Sequence, residues 1–332
     1  MRQLIAYLMC IAVAAIVALA FTPRDAQRVA DTALNTERMQ INGLLDLGKR
    51  QVAVGERGTI LTSDDRGHSW QQASVQPRRQ VSLTALTALN AEQLIAVGQD
   101  SLILRSGDGG STWQEVHYAP EAGEPLLGVW AASDTQVFAF GSYGKFYQSD
   151  DAGQRWHSVA LEVDRAHLNA MDGASDGRRM LVGEQGLVLR SADSGEHWQT
   201  LPAFYNGSLF GVVRLSAQRW VVYGMRGHVF VTDDFGGQWQ PIKVGNTQPL
   251  YGHVRLPDNA GVLIVGAGSS MVRLDGQGRL LSTSRQPGLG TLTAAIVVGG
   301  DQVLVAGERG VFQGNGNSVA ALGKGEQRHE TR

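Results

Sequence analysis

The chain contains a single cysteine, Cys10, among 332 residues, so an internal disulfide framework and a cysteine-based metal site are both excluded. Neither sign of charge is in excess, since 29 Lys plus Arg against 31 Asp plus Glu give a net charge of -2. A general nucleic-acid-binding protein shows a strong basic excess, and no nucleic-acid partner is expected. Proline is scarce, and no Gly-x-y period accompanies the 42 glycines, which excludes a collagen-like chain. The glycines therefore indicate many tight turns.

Only one long apolar run occurs, from Leu4 to Phe21, and it follows Arg2. Two interpretations stay open. As a secretory signal, the run is cleaved after Ala18-Leu19-Ala20, whose small residues suit a cut ahead of Phe21. As an uncut anchor, its 18 residues span about 27 Å, slightly less than the ~30 Å hydrocarbon core. In either case residues 1–21 predict an exported protein, periplasmic or held in the inner membrane facing the periplasm.

From about residue 41 the chain repeats a unit of about 42 residues. The clearest signature is Ser/Thr-x-Asp-x-Gly-x-x-Trp, an Asp-box, in which hydroxyl and carboxylate bond turn backbone and glycine supplies a positive φ. The tryptophan is expected to pack on the following strand. The five copies are Ser63, Asp65, Gly67 and Trp70; Ser106, Asp108, Gly110 and Trp113; Ser149, Asp151, Gly153 and Trp156; Ser191, Asp193, Gly195 and Trp198; and Thr232, Asp234, Gly236 and Trp239. We interpret all five as structural.

Two further signatures share this period and extend it to seven units. The first is a Gly-x-x-Gly-like turn, found at Gly55-Gly58, Gly98-Ser101, Gly141-Gly144, Gly183-Gly186, Gly224-Gly227, Gly266-Ser269 and Gly307-Gly310. The second is an apolar-x-small pattern, found at Ile41-Gly43, Leu83-Ala85, Leu126-Gly128, Leu168-Ala170, Leu209-Gly211, Leu250-Gly252 and Leu292-Ala294. Two units thus lack the full Asp-box but keep the other signatures.

Each unit contains four short strand patterns, which in about 42 residues match the blade of a β-propeller. The predicted fold is all-β: a seven-bladed propeller of four-stranded antiparallel blades with Asp-box turns, over residues 41–322. The last unit has a weak fourth strand, so residues 22–40 are expected to be a linker, with a ring-closing outer strand as one option. The polar residues 323–332 are expected to form a disordered tail.

These repeats resemble one family in particular. The stretches QVAVGERGTILTSDDRGHSW (residues 51–70) and RMLVGEQGLVLRSADSGEHW (residues 179–198) are typical of the photosystem II stability and assembly factor family. The resemblance covers about residues 40–315. It implies a non-enzymatic, exported, seven-bladed propeller that assists the assembly of a membrane protein complex, without a cofactor. In a non-photosynthetic bacterium, a transporter or envelope complex is the expected partner.

A sialidase-like glycoside hydrolase is the enzyme alternative, because such enzymes also carry Asp-boxes, and a carbohydrate-binding propeller is a third option. Sialidases typically have six blades, an early Arg-Ile-Pro segment and a Tyr-Glu nucleophile pair. Here the early segment reads Thr22-Pro23-Arg24, and the sequence gives no evident carboxylate partner to the four tyrosines considered, Tyr147, Tyr205, Tyr223 and Tyr251. We therefore expect no catalytic residues and no small-molecule substrate.

No metal site is expected either. The eight histidines are scattered without ligand spacing, and His68 and His197 fall in turn positions. The Asp-Asp pairs beside the boxes lack the later bidentate Glu of a calcium loop.

Binding is the favoured role, since a propeller offers a rigid ring with variable loops on each face. The Gly-x-x-Gly turns and the loops between blades are expected on the face opposite the Asp-boxes. Arginines and aromatics are enriched at docking surfaces, and those expected on this face are the candidate partner-binding residues. They are Arg57, Arg78, Arg79, Tyr143, Arg165, Phe204, Tyr205, Arg226 and Arg309.

Overall fold

A computed structural model of the chain describes residues 9, 13, 39–300, 302–315 and 318–320, with the backbone alone for 315 and 318–320. The chain divides into two units, Met1–Leu34 and Asn35–Arg332. In the first unit, Met9 and Val13 are helical. The signal or anchor expected at residues 1–21 otherwise lies outside the described residues, as do most of the linker and the whole tail at 323–332. Among the described residues, no helix combines the length and apolar character needed to cross a membrane.

The second unit consists of seven consecutive sheets, each built from strands adjacent in the chain. Blade 1 contains β1 (Ile41–Asp46), β2 (Gln51–Gly55), β3 (Ile60–Ser63) and β4 (Gln71–Gln72). Blade 2 contains β5 (Ser74–Gln76), β6 (Leu83–Ala88), β7 (Leu94–Gly98), β8 (Ile103–Ser106) and β9 (Thr112–His117). Blade 3 contains β10 (Leu126–Ala131), β11 (Val137–Gly141), β12 (Phe146–Ser149) and β13 (His157–Ser158). Blade 4 contains β14 (Leu168–Gly173), β15 (Arg179–Gly183), β16 (Val188–Ser191) and β17 (Gln199–Thr200).

The remaining three blades follow the same order. Blade 5 contains β18 (Leu209–Arg214), β19 (Trp220–Gly224), β20 (Val229–Thr232) and β21 (Gln240–Ile242). Blade 6 contains β22 (Leu250–Leu256), β23 (Gly261–Gly266), β24 (Ser270–Leu274) and β25 (Leu280–Arg285). Blade 7 contains β26 (Leu292–Gly299), β27 (Gln302–Gly307), β28 (Gly310–Asn315) and β29 (Ser318–Ala320). The all-β, seven-bladed propeller predicted from the repeats is confirmed.

Blade 2 departs from the four-stranded rule, because β5 adds a fifth strand at its outer edge. This strand leaves blade 1 and pairs in parallel with β9, placing Val75 opposite Trp113. Trp113 is fully buried, whereas the other four box tryptophans are half-buried. The extra strand therefore covers the one Asp-box tryptophan that lies within a long outer strand.

The second strand of each blade forms the core. All five residues of β2, β7, β11, β15 and β19 are buried, because each strand is covered by a neighbouring blade on both faces. Apolar clusters fill each space between consecutive blades from the first to the seventh. Packing between blades thus stabilises the ring, as expected of a domain without disulfides.

The Gly-x-x-Gly signature marks the turn from the second to the third strand. Six of these turns are short 3-10 turns, such as Glu56–Gly58, in which the middle residue has a positive φ. The glycine before the turn is required by close backbone approach: a Cβ on Gly55 would lie 2.1 Å from the carbonyl oxygen of Gln40. The same contact recurs at Gly307, where a Cβ would lie 1.9 Å from the carbonyl oxygen of Thr291. The signature therefore fixes the turn against the start of the innermost strand.

The apolar-x-small signature marks a β-bulge near the start of each innermost strand, where the pairing register shifts across residue x. Four of these bulge residues donate a hydrogen bond to a backbone carbonyl of the next blade. The bonds run from Asn42 Nδ2 to Leu83 O (2.7 Å), Thr84 Oγ1 to Leu126 O (2.7 Å), Asn169 Nδ2 to Leu209 O (2.8 Å) and Thr293 Oγ1 to Ile41 O (2.7 Å). The same position that bulges the strand therefore also links successive blades.

The Thr293 bond closes the ring, because it joins blade 7 to blade 1 across 252 positions of sequence. The fourth strand of blade 7 is β29, which follows β28 in the chain and pairs with it in antiparallel fashion. Its outer position is thus filled by residues 318–320. Residues 22–38, for which a ring-closing strand was one option, lie outside the described residues.

We expect Thr293→Val to lower the free energy of unfolding by about 1–3 kcal/mol, because it removes the hydroxyl donor to buried Ile41 while keeping the side-chain shape. Denaturant titration of the full chain measures this effect. The matched control is Thr200→Val at an exposed strand position, where a change within about 0.5 kcal/mol is expected. Equal effects at the two sites would contradict this account of ring closure.

Candidate functional site

The propeller has two chemically different faces. The face that we call the turn face carries the 3-10 turns, the matching Glu308–Arg309 turn and the connections between blades. The opposite face, the box face, carries the Asp-boxes and the turns between first and second strands, as the Arg50–Asp64 ion pair between these segments shows (2.7 Å). The placement of boxes and turns on opposite faces agrees with the strand order read from the sequence.

On the box face, all five Asp-boxes make the same hydrogen bonds among hydroxyl, carboxylate and turn backbone, and in the first three the tryptophan indole also donates to the glycine carbonyl. In the first, the Ser63 hydroxyl donates to Asp65 Oδ1 (2.8 Å) and accepts from the backbone N–H of Gly67 (2.8 Å). Asp65 Oδ1 also accepts from the backbone N–H of Ser69 (2.8 Å). The Trp70 indole donates to the Gly67 carbonyl (3.1 Å). These bonds tie hydroxyl, carboxylate and indole to one turn, which leaves the boxes a structural role.

The box carboxylates are held ionised by these bonds. Burial opposes ionisation of Asp65, but hydrogen bonds from the Ser69 side chain and backbone and from Ser63 outweigh it and lower the pKa to about 2. In the third box, hydrogen bonds from Arg155 lower the pKa of Asp151, and in the fourth the backbone N–H of His197 does the same for Asp193. Blade 6 lacks the full Asp-box but keeps one of its hydrogen bonds, since Asp275 Oδ1 accepts from the backbone N–H of Arg279 (2.8 Å).

On the turn face, six of the nine candidate partner-binding residues are exposed. Arg57, Tyr143 and Arg226 are the middle residues of 3-10 turns, with φ of 54°, 56° and 56°. The other three exposed candidates are Arg78, Arg165 and Arg309. Arg165 lies over the Tyr143 ring, with its guanidinium carbon 5.2 Å from the ring centroid.

The three other candidates are engaged within the protein. Arg79 pairs with Glu115 (2.9 Å) and covers the Tyr118 ring. Phe204 stacks on Trp239 with centroids 4.9 Å apart and packs against the core between blades 4 and 5.

Tyr205 packs against the same core and donates its hydroxyl proton to Met225 O (3.2 Å). The structure thus assigns internal contacts to these three side chains, whereas the other six candidates are exposed.

Charge is distributed unevenly over the described part of the turn face. In blades 5 to 7 four basic residues stand against one acidic residue, Glu308. We call these four the cationic sector: Arg226, Lys243, Arg285 and Arg309. In the turns and connections of blades 1 to 4, acidic residues outnumber basic ones: Glu56, Asp100, Glu121, Glu124, Glu162, Asp164 and Glu184 against Arg57, Arg78, Arg79, Lys145 and Arg165. The side of the turn face that attracts anionic groups is therefore that of blades 5 to 7.

The innermost strands enclose a central channel with a volume of about 240 Å³. All seven bulge residues line it, near the turn face. In blades 5 and 6 these residues are Phe210 and Tyr251, whose ring centroids are 5.2 Å apart. Deeper in the channel, the Tyr223 hydroxyl and His253 Nδ1 share a hydrogen bond of 2.7 Å. The lining thus combines aromatic rings at the mouth with polar groups inside.

Titratable groups beside the channel join blades 4 to 6. The buried Asp172 carboxylate accepts from the backbone N–H of Arg214 (2.7 Å) and pairs with the Arg255 guanidinium. Burial raises the pKa of Asp172 in spite of these partners. Burial, reinforced by Arg255, lowers the pKa of His253 to about 3, so this histidine is neutral at physiological pH. Burial also raises the pKa of Tyr223.

The model of the family described as "Photosynthesis system II assembly factor YCF48" matches residues 27–175 of this chain. The chain is thus similar to photosystem II assembly factor-like propellers with BNR (Asp-box) repeats. The resemblance drawn from residues 51–70 and 179–198 is thereby confirmed.

Solved structures reproduce the fold of this assembly factor-like propeller. YCF48 from Cyanidioschyzon merolae superposes with a TM-score of 0.67 at 15% identity, covering 85% of this chain and 97% of the other. A structure of YCF48 bound to D1 peptide gives 0.66 at 15% identity, covering 83% and 93%. The WD40 propeller domain of Doa1 gives 0.67 at 12% identity, also covering 83% and 93%. None of the curated proteins matches the chain.

The four tyrosines weighed as sialidase-like nucleophiles have other partners in this assembly factor-like propeller. The Tyr147 hydroxyl accepts from Lys145 (3.5 Å), Tyr205 bonds Met225 O, Tyr223 bonds His253, and the Tyr251 ring lies against Phe210. Within the described residues, none of these four hydroxyls bonds a carboxylate. The Tyr-Glu arrangement of a sialidase is therefore not formed by these residues.

One group on the box face has the geometry for a cation: Asp193, Glu196 and His197, whose ligand atoms lie within 4.8 Å of one another. All three side chains are exposed. Asp193 already accepts from Ser191 (2.7 Å) and from the ring of His197 (2.7 Å). We interpret this group as part of the fourth Asp-box turn.

For Asp65→Asn, we expect a loss of stability at pH 7 of about 1 kcal/mol, since the box loses its charged acceptor. The folded pKa of about 2 lies below the ordinary value of ~3.9, so the stabilisation is present above pH 4 and is lost as the pH falls toward 2. Denaturant titrations between pH 7 and pH 2 should therefore show the variant and the parent converging in acid. Asp134→Asn, at an exposed turn, is the control and should leave the curve unchanged. A constant gap across this range would refute the role of the carboxylate charge.

Proposed function

We propose that this chain is an exported, non-enzymatic scaffold that docks a membrane protein complex and assists its assembly or operation. The docking surface in this proposal is the turn face, above all its cationic sector. The observation that carries the proposal is the uneven charge of this face, with basic residues concentrated in blades 5 to 7.

A rigid ring with one cationic sector suits docking by complementary charge. The exposed guanidinium groups of Arg226 and Arg309 stand on turns whose backbone is fixed against the innermost strands. Arginine on a rigid support loses little conformational entropy on binding and pairs in bidentate fashion with carboxylates. Complementary charge also steers association and selects partners. An acidic surface or segment of a client is the expected ligand.

The similarity to known proteins also supports a docking role. The matching family is described as an assembly factor, and a protein of the same fold is solved with a D1 peptide bound. By analogy, the client of this chain is a membrane protein, and its contact with the propeller involves a peptide segment. In a non-photosynthetic bacterium the client would be a transporter or an envelope complex.

Export rests on the apolar run at Leu4 to Phe21. We expect the full chain in the exported fraction of the cell and a variant lacking residues 2–21 in the cytoplasm. Cell fractionation with immunodetection measures this, and mass spectrometry of the mature amino terminus distinguishes a cut ahead of Phe21 from an uncut anchor. Retention of the full chain in the cytoplasm would refute export.

The docking surface is tested by charge reversal in matched pairs. We expect Arg226→Glu with Arg309→Glu to reduce recovery of the client at least tenfold in crosslinked pull-downs from native membranes, with an unchanged melting temperature, because both side chains are exposed. The control pair, Lys49→Glu with Arg66→Glu, makes the same change in net charge on the box face and should retain the client. Arg57→Glu with Arg78→Glu tests the acidic side of the turn face, where a smaller loss is expected. Retention of the client by all three pairs would show that the turn face is not the docking surface.

A further inference from the structure

The bulge position of the innermost strand is used in two different ways around the ring. In blades 1, 2, 4 and 7 it holds Asn or Thr, which donates to the next blade. In blade 3 it holds Leu127, and in the adjacent blades 5 and 6 it holds Phe210 and Tyr251; Leu127 and Phe210 have no side-chain donor. These adjacent blades carry an aromatic pair where the ring's own hydrogen bond would form. A local departure from a repeated structural rule is expected where a site serves binding rather than stability.

This aromatic pair is accessible at the mouth of the channel. Tyr251 is 36% exposed, and both rings line the channel on the side of the turn face. The ring centroids lie 5.2 Å apart with planes at 36°, a tilted arrangement that presents ring surface to the channel. Exposed aromatic side chains on a rigid support are typical anchors of protein interfaces.

The channel below the aromatic pair offers an uncharged floor. Tyr223 reaches the channel from the second strand because Gly211 leaves room for its ring: a Cβ there would lie 2.0 Å from Tyr223 Cζ. Its hydroxyl bonds His253, which stays neutral because burial lowers its pKa to about 3. The nearby charges of Asp172 and Arg255 are paired with each other. An uncharged side chain therefore suits this pocket better than a charged one.

The rim beside the aromatic pair belongs to the cationic sector. Arg226 stands on the turn of blade 5, which contacts the innermost strand that carries Tyr251. Arg285 is held at the turn of blade 6 by its bond to Gly268 O (3.2 Å), and Arg309 stands on the turn of blade 7. An apolar pocket between basic side chains matches a segment with an apolar residue among acidic ones.

We propose that the channel mouth at blades 5 and 6 binds an acidic peptide segment of the client, with one aromatic or long apolar side chain packed against the Phe210–Tyr251 pair and neighbouring carboxylates paired with the cationic sector. The inference rests on the proposed function, because it names the part of the client that the scaffold binds. The aromatic pair sets the preference for the inserted side chain, and the cationic sector sets the preference for its acidic flanks.

The test uses a defined probe, a fluorescein-labelled nonapeptide with a central phenylalanine flanked on each side by two glutamates in a glycine-serine background. Binding to the full chain is measured by fluorescence anisotropy. Two matched peptides replace the phenylalanine by alanine or the four glutamates by glutamines. We expect each matched peptide to bind about tenfold more weakly than the parent peptide.

The protein variants exchange one type of bulge residue for the other. Phe210→Asn with Tyr251→Thr installs the residue types that other blades carry at this position, so the ring is expected to fold, as circular dichroism and thermal melting will verify. We expect this double variant to bind the parent peptide about tenfold more weakly and to lose the preference for phenylalanine over alanine. Leu281→Ala removes an exposed apolar side chain from the outer strand of blade 6 and should bind as the parent protein does.

Three results overturn the inference: no binding of the parent peptide, equal binding of the phenylalanine and alanine peptides, or full binding by the double variant. Different results would refute the proposed function. If the double variant still recovers the client from membranes while the Arg226 and Arg309 reversals do not, the scaffold role stands and the aromatic pair is excluded. If both charge-reversal pairs on the turn face leave the client bound, the turn face is excluded whatever the peptides show.

Discussion

The join between neighbouring blades is the constraint on which the ring depends: apolar clusters pack between the blades, and in four of the seven a bulge residue adds a hydrogen bond to the next blade. The hydrogen bonds inside the Asp-boxes and 3-10 turns set the shape of a blade, and on the box face Arg105 and Arg190 also donate to Ala152 O and Phe235 O of the next blade (2.8 and 3.0 Å). The bulge side chains of Asn42, Thr84 and Asn169 make that join at a backbone carbonyl already buried in the interface. At Thr293 the same bond unites the two ends of the ring, where the cost in chain entropy of bringing distant segments together is concentrated.

Because contacts between the strands of neighbouring blades hold the ring together, the loops on its two faces can serve other roles. The second strands are buried on both sides, and the loops at their ends carry little of the core. On the box face the loops are occupied by repeated turn hydrogen bonds. On the turn face the sequence varies from blade to blade, and this variation separates an acidic side from the cationic sector and places aromatic rings at the channel. The stability of the fold and the chemistry of its surface are therefore set by different residues.

The blade count and the two faces could be predicted from the sequence, because Asp-boxes and glycine turns are made by residues only a few positions apart. The fifth strand of blade 2 was missed, since it depends on a contact between Val75 and Trp113 in different units. Phe204 looked like a surface aromatic because its stacking on Trp239 arises only when the loop folds back over the blade. The aromatic pair at Phe210 and Tyr251 was not predicted, because position x of the apolar-x-small signature can be any residue. The structural difference at this position became evident only from the hydrogen bonds that the bulge residues make in other blades.

The central claim is that the turn face of blades 5 to 7 contacts the client and the box face does not. Two native lysines report on it, since Lys243 lies in the cationic sector and Lys49 on the box face, both exposed. Labelling of lysines by an amine-reactive ester, with and without the client complex bound, gives one measurement that covers both faces. The account predicts that the client protects Lys243 from modification and leaves Lys49 as reactive as in the free protein. Protection of Lys49 with Lys243 still fully reactive would contradict it.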